Sequence, residues 1–398
     1  MKENSALRSR NYVTYLVGNT ISLHGLWMYR VALGWFAWQL SESEFWIGVI
    51  AFTQFAPAVV FGPVFGVLAD RFDRRAASLL INSLSLINML LLGFLTSNGS
   101  VDIHVLTLFA LMQGMLDGAH MPVRMTIVPN LVQKPQLQSA IALTSVSFNV
   151  SRAIGPAIAG VVIARWDVAT AFFVNGISYL SLIWAIIVVR LNPSEETQTE
   201  RKAVWSELKE GAHYAFTHKS IRALLVIVAL ASVFGRGALE MMPAFADSVF
   251  AGGSSALATL TTAIGVGAIV AGLILSRGTK WLTINVVRFA VLVGGLLIAY
   301  FSTLTDLNLA VLVIATSGVV LSMVGVGSQI LIQTLVDDKV RGRVSSFWGM
   351  IAFGGTALGG LIVGAAANAF SLERAGVTTG LLCAAAALVS IAIDRRNS

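Results

Sequence analysis

Residues 66–75 read GVLADRFDRR and stand between two apolar runs, Phe45 to Ala69 and Ala76 to Thr96. Each run matches the roughly 20 helical residues needed to cross a hydrocarbon core about 30 Å thick. In lipid the backbone must satisfy its own polar groups, so two such runs are two membrane helices. Arg71, Arg74 and Arg75 gather in the turn between them.

Working outward, the same reading gives about twelve spans. Those of the first half are Tyr12 to Leu40, Phe45 to Ala69, Ala76 to Thr96, His104 to Pro129, Ser139 to Ala164 and Ala169 to Val189. Those of the second half are Ile221 to Phe250, Ser254 to Leu275, Leu282 to Ser302, Leu307 to Gln333, Val344 to Ala369 and Gly376 to Ile393. The chain has 398 residues, of which 56% are hydrophobic and 12% charged, far from the roughly 25% charged residues of a soluble domain. The basic start (Lys2, Arg8, Arg10) runs into a full-length span with no clear small-residue cleavage site, so the first span is expected to stay as an anchor. A single cysteine, Cys383, leaves no internal disulfide to form.

A formal charge of +7 invites a nucleic-acid reading, but in a membrane protein the loop that carries each charge matters more. One side receives Lys2, Arg8 and Arg10, the 71–75 cluster, Arg190, Arg201, Lys202, Lys209 and Lys219, Arg277 and Lys280, then Lys339, Arg341, Arg343, Arg395 and Arg396. The other side has little beyond Arg165 and Arg374. By the positive-inside rule both termini and the central loop are cytoplasmic. That basic face is suited to anionic lipid headgroups rather than nucleic acid.

One long polar stretch, Asn192 to Ser220, divides the spans six and six. Within it WSELKEGAHYAFTHKSIRALL has helical spacing and reads as a surface helix leading into span seven. The halves echo each other: NLVQKPQLQSA and GPAIAG in the first, TLVDDKVRGRV and GGLIVG in the second, and GVLADR against GLILSR. The expected fold is therefore all-α integral membrane, with twelve transmembrane helices in two pseudo-symmetric six-helix bundles, residues 1–191 and 221–398, joined by a cytoplasmic linker, 192–220. Parallel repeats of this kind place a substrate cavity at their interface and allow alternating access.

In GVLADRFDRR, small Gly62 and Gly66 would let neighbouring helices approach, Asp70 is placed to accept hydrogen bonds at a helix terminus, and the arginines could latch the halves or simply fix topology. This loop resembles the signature loop of the major facilitator superfamily. The resemblance implies a cytoplasmic gating loop of Gly66, Asp70, Arg71, Arg74 and Arg75. SRAIGPAIAG in span five resembles that superfamily's antiporter motif, matching at Gly155, Pro156 and Gly160, where a proline and small residues give a closely packed helix. WMYRVALGWFAWQLSES, PVRMTIVPNLVQKPQLQSAIAL, ELKEGAHYAFTHKSIRALL and RGRVSSFWG resemble the drug/proton antiporter branch that contains the enterobactin exporter and macrolide efflux proteins.

An ionised side chain at mid-bilayer costs about 2.5–3.5 kcal/mol on insertion scales, so such residues are functional candidates. Arg30 in span one and Asp117 in span four lie at comparable depth, compatible with an ion pair. Asp117, with His120 one turn away, is either a proton-coupling carboxylate or half of a static pair. Arg236 and Glu240 in span seven are spaced i, i+4, and Glu240 is the second proton candidate or a contact for cationic cargo. Arg124 suits packing and the cytoplasmic gate; Arg152 and Arg288 are weaker candidates, Arg152 for an anionic substrate. Trp27, Tyr29, Phe148, Met241 and Met242 could line an adaptable cavity or pack ordinarily.

No phosphate-cradling loop, zinc spacing or serine nucleophile elbow is present, so no metal, cofactor or enzymatic activity is expected. The resemblance implies a secondary active transporter that exports a small organic molecule, siderophore-like or drug-like, across the bacterial cytoplasmic (inner) membrane by proton antiport. An uptake carrier or facilitator of the same fold and a non-transporting receptor are the alternatives. The expected partners are a small-molecule substrate, protons and membrane lipids, not nucleic acid, for a chain acting as a monomer.

Overall fold

A computed structural model describes residues 5–191, 204–337 and 340–396, apart from the side chains of residues 63, 67, 69–71, 204–209 and 392–396. The described residues are helical, with no strand among them. The helices of the first half are α1 (Arg10–Ser41), α2 (Glu44–Val60), α3 (Gly62–Arg71), α4 (Arg74–Ser97), α5 (Ile103–Ile127), α6 (Leu137–Arg165) and α7 (Val168–Val188). Then come α8 (Val204–Thr217) and α9 (Lys219–Val249), followed by α10 (Gly253–Ser276), α11 (Ile284–Phe301), α12 (Leu307–Leu335), α13 (Arg341–Ala369) and α14 (Leu372–Arg396).

Among the described residues nine helices are long and apolar enough to cross a membrane: α4, α6, α7 and α9 through α14. α1 and α5, with 32 and 25 residues, are long enough, but Asn19, His24 and Arg30 in one and Gln113, Asp117, His120 and Arg124 in the other dilute their apolar character. The expected second span is divided at Phe61 into α2 and α3. Pro63 has no N–H to donate to the preceding turn, which is why a fresh helix starts there.

Helix starts follow local chemistry. Asp73, Asp102, Asp167 and Asp306 each cap a helix by accepting backbone N–H groups, at 2.8 Å for Ala76, 2.8 Å for Val105, 2.7 Å for Thr170 and 2.8 Å for Leu309. A carboxylate there satisfies orphan donors and meets the positive end of the helix dipole.

The chain forms two compact units, Met1–Leu33 with Pro57–Arg201 and Gly34–Ala56 with Lys202–Ser398, here unit 1 and unit 2. α1 thus contributes to both, splitting after Leu33. In unit 1, α1 lies against α7 at Gly18 and Gly25, where an added Cβ would meet the Ser181 carbonyl at 2.6 Å and the Asn175 amide oxygen at 2.8 Å. In unit 2, α10 and α12 approach as closely at Gly267, whose Cβ would stand 2.7 Å from the Val319 nitrogen. Lipid gives helices no hydrophobic reason to associate, so close backbone packing of this kind supplies the contact. Also within unit 2, α8 docks through an ion pair from Glu210 to Arg343 and a Tyr214 hydroxyl donating to Asp337 at 3.3 Å.

Candidate functional site

The densest buried polar cluster described in unit 1 lies where α4, α5 and α7 meet. α4 turns Ser78, Asn82, Ser85 and Asn88 inward, spaced four, three and three residues apart, and all are buried. α5 answers with Gln113, Asp117 and His120, and α7 with Asn175 and Tyr179. The Gln113 amide nitrogen donates to Asp117 Oδ1 at 3.0 Å and lies 3.0 Å from the Tyr179 hydroxyl and 3.4 Å from Ser85 Oγ. Gln113 Oε1 accepts from Asn88 Nδ2 at 3.2 Å, and the same nitrogen donates to the Phe109 carbonyl at 3.3 Å. One turn along, Asn82 Nδ2 donates to the Ser78 carbonyl at 2.7 Å and reaches His120 Nε2 at 3.3 Å.

Arg30 and Tyr29 of α1 are within electrostatic reach of Asp117. The Arg30 guanidinium lies over the Trp27 ring, 4.8 Å from its centroid, and Trp27 meets Phe148 edge-on at 5.6 Å. The structure therefore brings together Arg30, Asp117, Trp27 and Phe148 from distant stretches of sequence. Tyr29 packs against Phe172 with its hydroxyl buried and unpartnered among the described residues, and Asn88 Oδ1 and Asn175 Nδ2 share that condition.

α1 and α6 run side by side along a second polar seam: Tyr12 with Thr144, Thr20 with Ser147 at 2.6 Å, and His24 with Ser151 at 3.2 Å. Gly155 continues it, since a Cβ there would collide with Trp27 and stand 3.1 Å from the Met28 nitrogen. Pro156 and Gly160 are buried in the same helix, and Arg152 is half-buried beside them.

The residues of the basic loop take unequal places. Asp70 and Arg71 fall outside the described side chains, and Arg74 is half-buried. Arg75 donates to the carbonyls of Ile186 at 2.9 Å, Ile187, and Val189 at 2.8 Å, closing the C-terminal end of α7 inside its own unit. The close approach expected at Gly62 and Gly66 is not seen: no described atom lies within 4 Å of a Cβ at either position. Among the described side chains of the loop, Arg75 carries the contacts to the end of α7.

In unit 2, Arg236 and Glu240 are half-buried on α9, but the helix between and around them is irregular. A π-helical turn covers Ala231–Arg236, the Glu240 and Met241 nitrogens bond three residues back at 3.2 Å each, Pro243 follows, and a second π turn covers Phe245–Val249. Each charge also has a glycine of another helix beside it. Arg236 Nη1 is 3.8 Å from a Cβ at Gly325 of α12, and Glu240 Cγ is 3.6 Å from one at Gly360 of α13. Such π turns recur at functional sites. Met241 and Met242 are buried in the body of unit 2. Arg288, also buried, donates to Asn285 at 2.8 Å and Ser390 at 3.1 Å. The C-terminal end of α1 belongs to this unit: Trp38 Nε1 donates to Asp247 Oδ2 at 2.8 Å, 209 residues away.

Sequence reasoning missed Gln113, Asn88, Ser85, Asn82 and Tyr179. The inward polar stripe on α4, repeating every three to four residues, was the signal available.

The model of the transmembrane secretion effector family matches residues 3–397. The chain belongs to that family. It is a transporter of the major facilitator superfamily, not an enzyme. The staphyloferrin A transporter of Staphylococcus aureus is 25% identical over 385 residues, covering 94% of this chain and 93% of that one. Macrolide efflux protein A of Streptococcus pyogenes is 20% identical over 390 residues, covering 96% and 94%. A bacterial homologue of the human lysosomal transporter Spinster, crystallised in an inward-facing and occupied conformation, shares the fold with a TM-score of 0.77 at 14% identity, covering 97% of each chain.

Proposed function

We propose that this secretion effector exports a small organic molecule, siderophore-like or drug-like, from the bacterial cytoplasm across the inner membrane, in exchange for protons and by alternating access. Twelve spans, six in 1–191 and six in 221–398 with the 192–220 linker and both termini on the cytoplasmic side, are the topology this reading takes. Counting α1, α2 with α3, and α5 beside the nine apolar helices yields that number, and the one-sided lysines and arginines supply the orientation.

The observation that carries the reading is Asp117: a carboxylate in the middle of a helix long enough to span, hydrogen-bonded to Gln113 and within electrostatic reach of Arg30. A carboxylate retained at such cost in the membrane has a use for its charge. Asp117 takes up a proton from outside as cargo leaves and gives it up inside as the empty carrier returns, with Arg30 as its charge partner. Glu240, beside the irregular stretch of α9, is the second proton site, with Arg236 near it. Trp27 and Phe148 offer an aromatic face to cargo and Arg152 a positive one. Asp70 and Arg71 act with the loop as the cytoplasmic gate. Efflux relatives of similar length, such as macrolide efflux protein A, support export over uptake.

Mass spectrometry of small molecules inside and outside cells expressing wild type, Asp117→Asn or no protein, in iron-replete and iron-starved medium, tests this. Export predicts a compound moved outward by wild type alone. Undiminished export by Asp117→Asn would remove the proton role, accumulation inside would make the chain an uptake carrier, and three matching profiles would favour a receptor.

A further inference from the structure

The orientation of Gln113 is over-determined. Around its amide nitrogen stand three acceptors, Asp117 Oδ1, the Tyr179 hydroxyl and Ser85 Oγ, while its carbonyl oxygen faces one donor, Asn88 Nδ2. Asn88 is fixed in turn, because its nitrogen also donates to the Phe109 backbone carbonyl, which cannot rotate. Turning Asn88 over would set Oδ1 against two other oxygens. Its present orientation leaves Oδ1 buried with no partner among the described residues, a cost of the order that buried unsatisfied groups carry. The chain Phe109 carbonyl, Asn88, Gln113, Asp117 is therefore polarised in one direction, and it ends with an N–H aimed at a carboxylate oxygen.

We propose that Gln113 is a positioning residue that holds Asp117 as the proton acceptor, with Asn88 setting its polarity. The inference rests on Asp117 being the proton carrier. Gln113 occupies Oδ1 in either protonation state, since the oxygen of an ionised carboxylate and the carbonyl oxygen of the acid both accept. The proton is thereby directed to Oδ2. Loss of the N–H removes a charge-assisted hydrogen bond that favours the ionised form. The other charged or titratable groups described around Asp117 are Arg30 and Tyr29 from α1 and Tyr179 from α7, with His120 one turn along α5 and Arg124 beyond it, acting on His120. α4 contributes only Asn82, Ser85 and Asn88, and α2 sets the apolar Ala58 against Gly118.

The test needs no cargo. Dicyclohexylcarbodiimide modifies carboxyl groups in apolar sites in their protonated form, so its rate of addition to Asp117, read by peptide mass spectrometry on the full chain in lipid nanodiscs, reports proton occupancy. At neutral pH the near-isosteric Gln113→Met is expected to label about tenfold faster than wild type, the equivalent of ~1.4 kcal/mol. Asn88→Leu, which touches neither atom of the Gln113–Asp117 bond, is also expected to label faster, and to add nothing when combined with Gln113→Met. Tyr179→Phe, which leaves that N–H in place, is expected to stay within about twofold of wild type. If Gln113→Met does not give folded protein, Asn88→Leu alone decides. Wild-type labelling rates in the Gln113 and Asn88 variants, with Asp117 still labelling in a pH-dependent manner, would overturn the positioning role and leave the carrier reading intact. Labelling of wild-type Asp117 that does not respond to pH would overturn both.

Discussion

In unit 1 the helices α4, α5 and α7 meet through amides and hydroxyls, whereas in unit 2 the helices α11, α12 and α14 meet largely through glycine. Where Asn88 reaches Gln113 in the first, Gly294 lies against Leu321 in the second, at 3.1 Å from an added Cβ, and Gly295 lies against Gly380 and Ala384. Both arrangements join helices in a solvent that rewards close packing and satisfied polar groups. Among the described residues, the polar one leaves an acceptor and a donor unpartnered, at Asn88 and Asn175. Among the described residues, a side-chain hydrogen bond from Arg288 to Ser390 joins these helices in unit 2, and glycine contacts do most of the rest, so the amide network of unit 1 exceeds what joining three helices requires.

Unit 2 is most vulnerable at Gly295. A side chain there would meet the Gly380 carbonyl at 2.5 Å and the Ala384 nitrogen at 2.6 Å. Gly295→Leu should therefore destabilise by about 3 kcal/mol or more, read as a fall in thermal unfolding temperature of the purified protein. Arg75→Ala should come next. It strips the last carbonyls of α7 of a cationic partner and should cost about 2 kcal/mol in the same assay, with Arg75→Lys recovering only part because it loses the fork geometry. Asp102→Ala removes the N-cap of α5 and should cost about 1 kcal/mol. The smallest expected effect sharpens the contrast most. Asn88→Leu with Gln113→Met turns the amide contact into an apolar one of similar volume, and at a pH low enough to keep Asp117 protonated unfolding should move by no more than about 1 kcal/mol. A loss as large as that at Gly295 would mean that the amides hold unit 1 together after all.

Much of this architecture was legible in the sequence, and the reasons are physical. Hydrophobic length exposes membrane helices directly, and a charge within an apolar run, such as Asp117, is conspicuous because lipid tolerates few of them. Gly155 was legible as a small residue at a tight contact, and the contact is with Trp27. Uncharged amides are quieter. Gln113 and Asn88 acquire meaning only when α4 and α5 are set side by side, 25 residues apart in the chain. The pairing of Trp38 with Asp247 spans 209 residues and has no local signature. Nor do the π turns of α9, because an i→i+5 bond is a property of packing rather than of any residue type; Pro243 and the glycines at 235 and 237 were the only hints. In the basic loop, the partners of Asp73 and Arg75 are a helix start and a helix end, and no local spacing announces the second.

Proton movement tied to cargo movement tests the central claim most directly. The protein is reconstituted in liposomes with a pH-sensitive dye inside and supplied with the compound that wild-type cells export. The account predicts that cargo moving one way drives protons the other way in wild type, with neither flux in Asp117→Asn. Cargo crossing at full rate with no change in internal pH would contradict it.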